Sequence, residues 1–235
     1  DILTKIPKEN LIVKKNVIKK KDEVVKLKKK LTKPEPKKKV AKLPSLTKKN
    51  PNSFGLNTET VLNLFEDLDY DLKKVRIKKE VKPIYFTRFP VDLNSIPSTQ
   101  LKKDTFIKII LPLVLAENKK ISLDREKIKS LDGKKMTNDK EKEWLRKKFR
   151  EYKVNNGKLK DLLQKVDTIP TSIALAQAAK ESGWGTSRFA LEGNAIFGQW
   201  TWNGSGIEPL EKTEGQRHKI LKFPILRASV KAYQN

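Results

Sequence analysis

The first fifth of the chain sets the strongest limit on what it can fold into. Residues 1–50 of the 235 carry 18 Lys against 5 acidic residues, with Lys triplets at 19–21, 28–30 and 37–39. They also hold a Pro-Glu-Pro at 34–36 and no aromatic residue. Such a stretch cannot bury enough apolar surface to offset its ordering entropy, so residues 1–56 read as a disordered Lys-rich arm and linker. Two uses fit it: a solvated tether, or an arm that meets an anionic polymer or membrane surface. The lysines are not interleaved with stacking aromatics, which disfavours nucleic acid as a partner. A folded core must come from the remainder, roughly 180 residues, enough for one domain or a small pair.

Charge and residue usage then narrow the chemistry. The whole chain has 53 Lys and Arg against 28 Asp and Glu, net +25, but residues 168–235 carry 8 against 5, only +3. With no Cys there is no disulfide framework, thiol nucleophile or zinc–thiolate site. His218 is the sole imidazole, which disfavours a Ser-His-Asp triad or a His-rich metal centre. No cofactor or metal is expected, and His218 reads as a surface strand residue without a chemical role. The most apolar run, 106–116, is too short to span a bilayer and is interrupted by Lys108 and Pro112. The chain starts at Asp1 rather than Met, so a removed signal peptide or a membrane anchor outside the chain is expected.

From residue 57 the pattern becomes that of a packed, mostly helical protein. Leu62, Phe65, Leu68 and Leu72 have helical spacing, whereas Val75, Ile77 and residues 83–97 read as extended or looped. Phe106, Ile109, Ile110, Leu113 and Val114 follow i, i+3, i+4, i+7, i+8, predicting an amphipathic helix kinked at Pro112. A shorter helix is expected over 121–131, ending near Asp132-Gly133. Asn138 with Glu141 resembles a capping box opening a helix through Trp144, Leu145, Phe149 and Tyr152. Asn156-Gly157 breaks it, and Leu159, Leu162, Leu163 and Val166 form the next stripe. These stripes are read as core.

Glycine and tryptophan then concentrate together. Eight of the ten Gly lie at or after Gly157, and three of the four Trp lie between 184 and 202. That combination suits a shaped cleft with close backbone approach and flat ring walls. Residues 169–182 read as a compact Ala-rich helix with Pro170 in its first turn and Gly183 as a left-handed stop. Ile173, Gln177 and Glu181 share one face. Glu181 ends this helix, where the helix dipole and an adjacent Trp184 would both favour the protonated carboxyl of a general acid. Lysozyme keeps its acid Glu protonated by the same device, a carboxyl held against a Trp. The pattern alone fits equally well a Glu that ends a helix facing water.

The residues that decide between these readings run from Ala176 to Phe189, centred on Glu181-Ser182-Gly183-Trp184-Gly185, and from Gly193 to Trp200, ending Phe197-Gly198-Gln199-Trp200. Together they resemble the bacterial glucosaminidase-domain family (glycoside hydrolase family 73) and, within it, the Bax-like branch. Leu111 to Asn118 and Asp124-Arg125 are similar to the upstream helical region of that branch. The likeness covers roughly residues 57–235 and is strongest from 169 onward. It implies a lysozyme-like α+β fold, mostly α, with a helical lobe and a small β-hairpin lobe. The expected division is an arm at 1–56, a helical Bax-like region at 57–167 and a glucosaminidase core at 168–235. The chain stops two residues after Tyr233, where family members continue, so the last helix is expected to be truncated.

The resemblance further implies an endo-β-N-acetylglucosaminidase that cleaves peptidoglycan glycan strands in the cell envelope, in the periplasm or at the cell surface. A monomer is favoured, and amidase chemistry is not expected. Glu181 corresponds to the general acid, Glu211 to the second carboxylate with Glu208 as fallback, and Tyr233 to a Tyr near the reacting sugar. Gln177, Ser182, Trp184, Asn194, Phe197, Gln199, Trp200 and Trp202 are the expected sugar contacts. Ala195 departs from the family, many members of which have a second Asn there. Trp200-Thr201-Trp202 alternates before an Asn203-Gly204 turn signal, predicting a hairpin with residues 207–211 and a third strand over 219–223. Its two Trp could stack on sugar or fill the core of that lobe, and its Glu residues could equally be solvent-facing hairpin charges. Competing functions are a lytic transglycosylase or muramidase on the same fold, or a non-catalytic wall-binding module.

Overall fold

The computed structural model describes residues 56–132, 138–210 and 218–235, and the expectations for the Lys-rich arm lie outside them. The described residues form eight α-helices and one three-stranded antiparallel sheet, a mostly helical α+β arrangement. Helices α1 (Thr58–Asp67) and α2 (Leu72–Lys78) precede a long α3 (Thr99–Leu131). Then come α4 (Asp139–Glu151), α5 (Leu159–Lys165), α6 (Thr171–Glu181) and α7 (Arg188–Gly193). Strands β1 (Trp200–Thr201), β2 (Gly206–Ile207) and β3 (Lys219–Leu221) lead into α8 (Leu226–Gln234).

Local signals account for several of these boundaries. Asn57 and Asn138 each cap a helix by accepting from a backbone N–H two or three residues on, Thr60 at 2.8 Å and Lys140 at 2.9 Å. Asp71 caps α2 through Lys73 N and Lys74 N, so Val75 and Ile77, expected in an extended stretch, are helical instead. The apolar pattern there misleads because α2 buries no residue and leaves Ile77 81% exposed.

The central element is α3. Phe106, Ile109, Ile110, Leu113 and Val114 are all fully buried, as their spacing requires. The expected division does not occur: one helix runs from Thr99 through Pro112 to Leu131, where the sequence predicts a helix kinked at Pro112 and a separate one over 121–131. Proline removes one ladder hydrogen bond and costs about 3 kcal/mol inside a helix. Packing on both sides outweighs that cost. Upstream, the five buried residues join a core with Val61, Phe65, Phe89, Ala174, Ala178, Ile196, Leu226 and Val230. Downstream, Ile121, Ile128 and Leu131 join a second core with Leu145, Tyr152, Leu162 and Val166. At about 1.5–3 kcal/mol for each large buried side chain, either cluster exceeds the proline penalty. The first core draws on residues from both sides of position 168.

The sheet differs from the expected hairpin. Its order is β1-β3-β2, with Trp200 opposite Ile220 and Gly206 opposite Leu221. Thus β3 sits between the two strands that Asn203-Gly204 was expected to pair directly. Gly206 makes this possible: a Cβ there would lie 2.6 Å from Lys219 Cβ and 2.9 Å from the Ile220 carbonyl oxygen. Only a bare backbone fits against β3 at that point.

Candidate active site

The Ala-rich helix α6 packs one face and opens the other. Ala174 and Ala178 are fully buried against α3, because small side chains allow close helix approach. Ile173, Gln177 and Glu181 lie on the exposed face, with Ile173 50% exposed. Glu181 therefore looks outward from the last turn. Among the described residues its carboxylate has neither a hydrogen bond nor an ion pair. Its close neighbour is Gly198, at φ +60°, where an added Cβ would stand 3.4 Å from Glu181 Oε2. The missing side chain leaves the carboxylate room on that side.

The turn after Glu181 is built to leave the helix abruptly. Gly183, Trp184 and Gly185 all have positive φ, at 58°, 58° and 79°. Trp184 is a non-glycine in the left-handed region, a conformation that its surroundings must enforce. Trp184 N donates to Ala179 O at 2.8 Å and Ser187 N to Ser182 O at 3.1 Å. Ser182 Oγ donates to Ala178 O and accepts from Gly185 N, at 2.6 and 2.9 Å. At Gly185 a Cβ would come within 2.9 Å of the Phe89 ring, so this position tolerates only glycine.

That turn overrides the expected pairing of Trp184 with Glu181. The indole meets Phe106 edge-on at 5.6 Å, with Lys103 Nζ 5.1 Å from its centre. Trp184 thus packs back on the core, and Glu181 stays exposed rather than desolvated by the indole. Ser182, expected to touch sugar, is instead fully buried with its hydroxyl engaged in the turn. Asn194 is also buried, as the left-handed cap of α7, and its amide donates to Phe223 O at 3.0 Å. Gln199 is half-buried, and its backbone carbonyl accepts from Leu221 N at 2.7 Å.

Tyr233 on α8 reaches the open face of α6. Its hydroxyl donates to Gln177 Oε1, 56 residues away in sequence. Its ring lies parallel to that of Phe197, with centroids 3.9 Å apart and an interplanar angle of 3°. Burial raises the Tyr233 pKa above its ordinary 10.0, so the phenol is neutral at physiological pH. Gln177, Glu181, Phe197, Gly198 and Tyr233 are thereby linked by contacts between α6, α8 and the 195–199 segment.

The sheet contributes aromatic surface. Trp200 and Trp202 are 57% and 66% exposed, with ring centres 6.4 Å apart. They are not the interior of the β lobe. His218, expected to stand alone on the surface, stacks on Trp200 at 4.4 Å and 19°. Only the strand register brings these rings together, because β3 pairs Ile220 with Trp200. Glu208 is exposed on the same lobe and ion-paired with Lys219 at 3.4 Å. Glu211, expected as the second carboxylate, lies outside the described residues.

Elsewhere, a cavity of about 290 Å³ is lined by Asp69, Tyr70, Lys74, Lys78 and the 80–83 segment, and shares no residue with this face. Among the described residues no group of His, Asp and Glu is arranged to hold a metal ion, and no helix is long and apolar enough to cross a membrane.

Residues 157–235 match the family model described as mannosyl-glycoprotein endo-beta-N-acetylglucosaminidase, the glucosaminidase family. The chain is also similar to Protein bax of Escherichia coli (strain K12), with 32% identity over 148 residues. That similarity covers 60% of this chain and 53% of the relative, so the chain spans about half the length of the protein it matches. No solved structure matches the chain.

Proposed function

We propose that this chain, a Bax-like protein with a glucosaminidase domain, is a glycosidase of the cell envelope that cleaves the glycan strands of peptidoglycan. The finer reading is an endo-β-N-acetylglucosaminidase with Glu181 as general acid. One observation carries it: Glu181 ends a helix that buries only its alanine face, and it presents an exposed carboxylate without a protein partner among the described residues. It stands beside Gly198, on the α6 face that Tyr233 reaches through Gln177. In this mechanism Glu181 gives its proton to the glycosidic oxygen as the C1–O bond breaks. The leaving chain departs with a free hydroxyl, and positive charge develops at C1 and the ring oxygen. A water oxygen bonds to C1, and its proton passes to a base.

Tyr233 suits the charge-developing side. Its O–H is committed to Gln177, so its oxygen lone pairs are left for an electron-poor centre, and the Phe197 stack fixes the ring plane. Trp200 and Trp202 offer flat faces for pyranose rings further along the strand. Glu211 is the base in this reading, since Glu208 is already paired with Lys219. Purified sacculi incubated with the protein should release new reducing ends, and Glu181→Gln should abolish that release with the fold intact. Full activity in Glu181→Gln, or no cleavage by the wild type, would sink the assignment. A second reading, a lytic transglycosylase working from one acid, is supported by the engagement of Glu208 with Lys219. It would yield anhydro-sugar ends in place of reducing ends. Strand binding without turnover would instead identify a non-catalytic wall-binding module.

A further inference from the structure

Tyr233 is half-buried near the C-terminal end of α8, and its role requires that it be held accurately. It is the second-last residue of α8, a helix of nine residues without a side-chain cap at its start. Leu226 and Val230 are fully buried and anchor the first two turns. Tyr233 itself meets Gln177 and Phe197, but the side-chain partners of its neighbours Lys231, Gln234 and Asn235 lie upstream of residue 157, outside the segment that matches the glucosaminidase model.

Three residues around Tyr233 are tied to α3 and α4. Glu151, on the final turn of α4, accepts at Oε1 from Lys231 Nζ at 3.1 Å and from Asn235 Nδ2 at 3.0 Å. These two partners bracket Tyr233, two residues before it and two after. The Tyr152 hydroxyl donates to the other amide atom of Asn235, Oδ1, at 3.2 Å. Gln234 Nε2 donates to Asn118 Oδ1 on α3 at 3.0 Å. Asn118 Nδ2 in turn donates to Ile169 O at 2.8 Å, two residues ahead of the first residue of α6.

The amide of Asn118 therefore joins both helices of the site. Its oxygen holds the end of α8, which carries Tyr233, and its nitrogen holds the entry to α6, which carries Gln177 and Glu181. We propose that Asn118 and Glu151 are positioning residues that set Tyr233 against Gln177 and Phe197, which makes the upstream helices part of the catalytic unit. This rests on the reading of the Glu181 face as the active site. Loosening the clamp lets the Tyr233 ring drift from the reacting sugar, and a displacement of about 1 Å can cost a hundredfold in rate.

The test uses the full chain carrying Asn118→Ala, Asn118→Asp or Glu151→Gln, with Ile128→Val as a control that weakens the second core without removing any hydrogen-bonding group of the clamp. On soluble glycan strands, Asn118→Ala and Glu151→Gln are expected to lower kcat about 10- to 100-fold with KM within about twofold. Asn118→Asp keeps an oxygen toward Gln234 but loses the donor to Ile169, and should fall between wild type and Asn118→Ala. Ile128→Val should lower Tm and leave kcat unchanged. An unchanged kcat in folded Asn118→Ala and Glu151→Gln, or an equal loss in Ile128→Val, would overturn the proposal. Hydrogen exchange gives a readout that does not need turnover: amides of 231–235 should lose protection in Asn118→Ala and Glu151→Gln. Retained protection there overturns the clamp even if the wild type proves inactive, whereas inactivity with lost protection defeats only the functional reading.

Discussion

Two ends of the site treat the same side-chain type in opposite ways. At the end of α6, Glu181 is exposed, with neither a hydrogen bond nor an ion pair among the described residues. Along α8, Glu117 is tied near its start and Glu151 near its end. Glu117 is 4% exposed and pairs with Arg227 at 2.5 Å, and Glu151 is shared among Lys148, Lys231 and Asn235. The contrast separates an acid available to a ligand from acids whose valence is spent on holding helices. A partner-free carboxylate costs little when water solvates it, but a buried one must be paired. Glu117 is buried and Glu151 half-buried, and both are paired, whereas exposed Glu181 needs no partner.

The strongest way to break this contrast is to neutralise its free member. Glu181→Gln should lower glycan cleavage by about 10²–10⁴-fold, with stability unchanged to within about 0.5 kcal/mol because no hydrogen bond or ion pair to a described residue is lost. Reducing-end assays and a urea melt together check it. A melt that moved substantially would mean that Glu181 has a structural partner after all.

The turn that leaves Glu181 exposed comes next. Gly185→Ala must place a methyl within 2.9 Å of Phe89 at φ +79°, which should cost about 2–4 kcal/mol from overpacking and backbone strain together. Thermal unfolding reads the loss directly, and a neutral substitution would show that the turn is not set by this contact.

The tied member is tested by acid. Burial alone would raise the Glu151 pKa, but hydrogen bonds from Lys148 and Lys231 override it and bring the carboxyl from its ordinary 4.5 down to about 2. A depressed folded-state pKa contributes stability that is present above the unfolded value and lost as pH falls towards the folded one. The difference in urea midpoint between wild type and Glu151→Gln should therefore be fully developed at neutral pH and shrink from about pH 4.5 downward. A difference independent of pH would remove the charge from the explanation.

The smallest effect is expected at the β lobe. Trp202→Ala removes a 66% exposed ring and should raise KM for glycan strands up to about tenfold, as expected for about 1.4 kcal/mol of stacking. Stability should barely move. A loss of stability without a change in KM would return Trp202 to a packing role.

Much of this was legible in the residues themselves. The 106–114 stripe, the Asn138 cap, the Gly183 stop and the common face of Ile173, Gln177 and Glu181 all follow from backbone periodicity and local hydrogen bonding, which act over a few residues. The same reasoning mistakes α2 for an extended stretch, because Ile77 suggests burial that no partner supplies. It also divides α3 into a helix kinked at Pro112 and a separate one over 121–131, because the two cores that hold the single helix together are assembled from distant segments.

Sequence alone determined which residues could do chemistry: an acid at a helix end, a Gly-Trp-Gly turn behind it, and aromatic residues clustered downstream. Tertiary structure decided which way each one faced. Trp184 follows Glu181 by three positions, yet three successive left-handed residues turn its ring to Phe106. Tyr233 comes to Gln177 across 56 residues, and Gln234 to Asn118 across 116. Such contacts exist only once the cores close, because no local preference of the chain encodes a partner that far away.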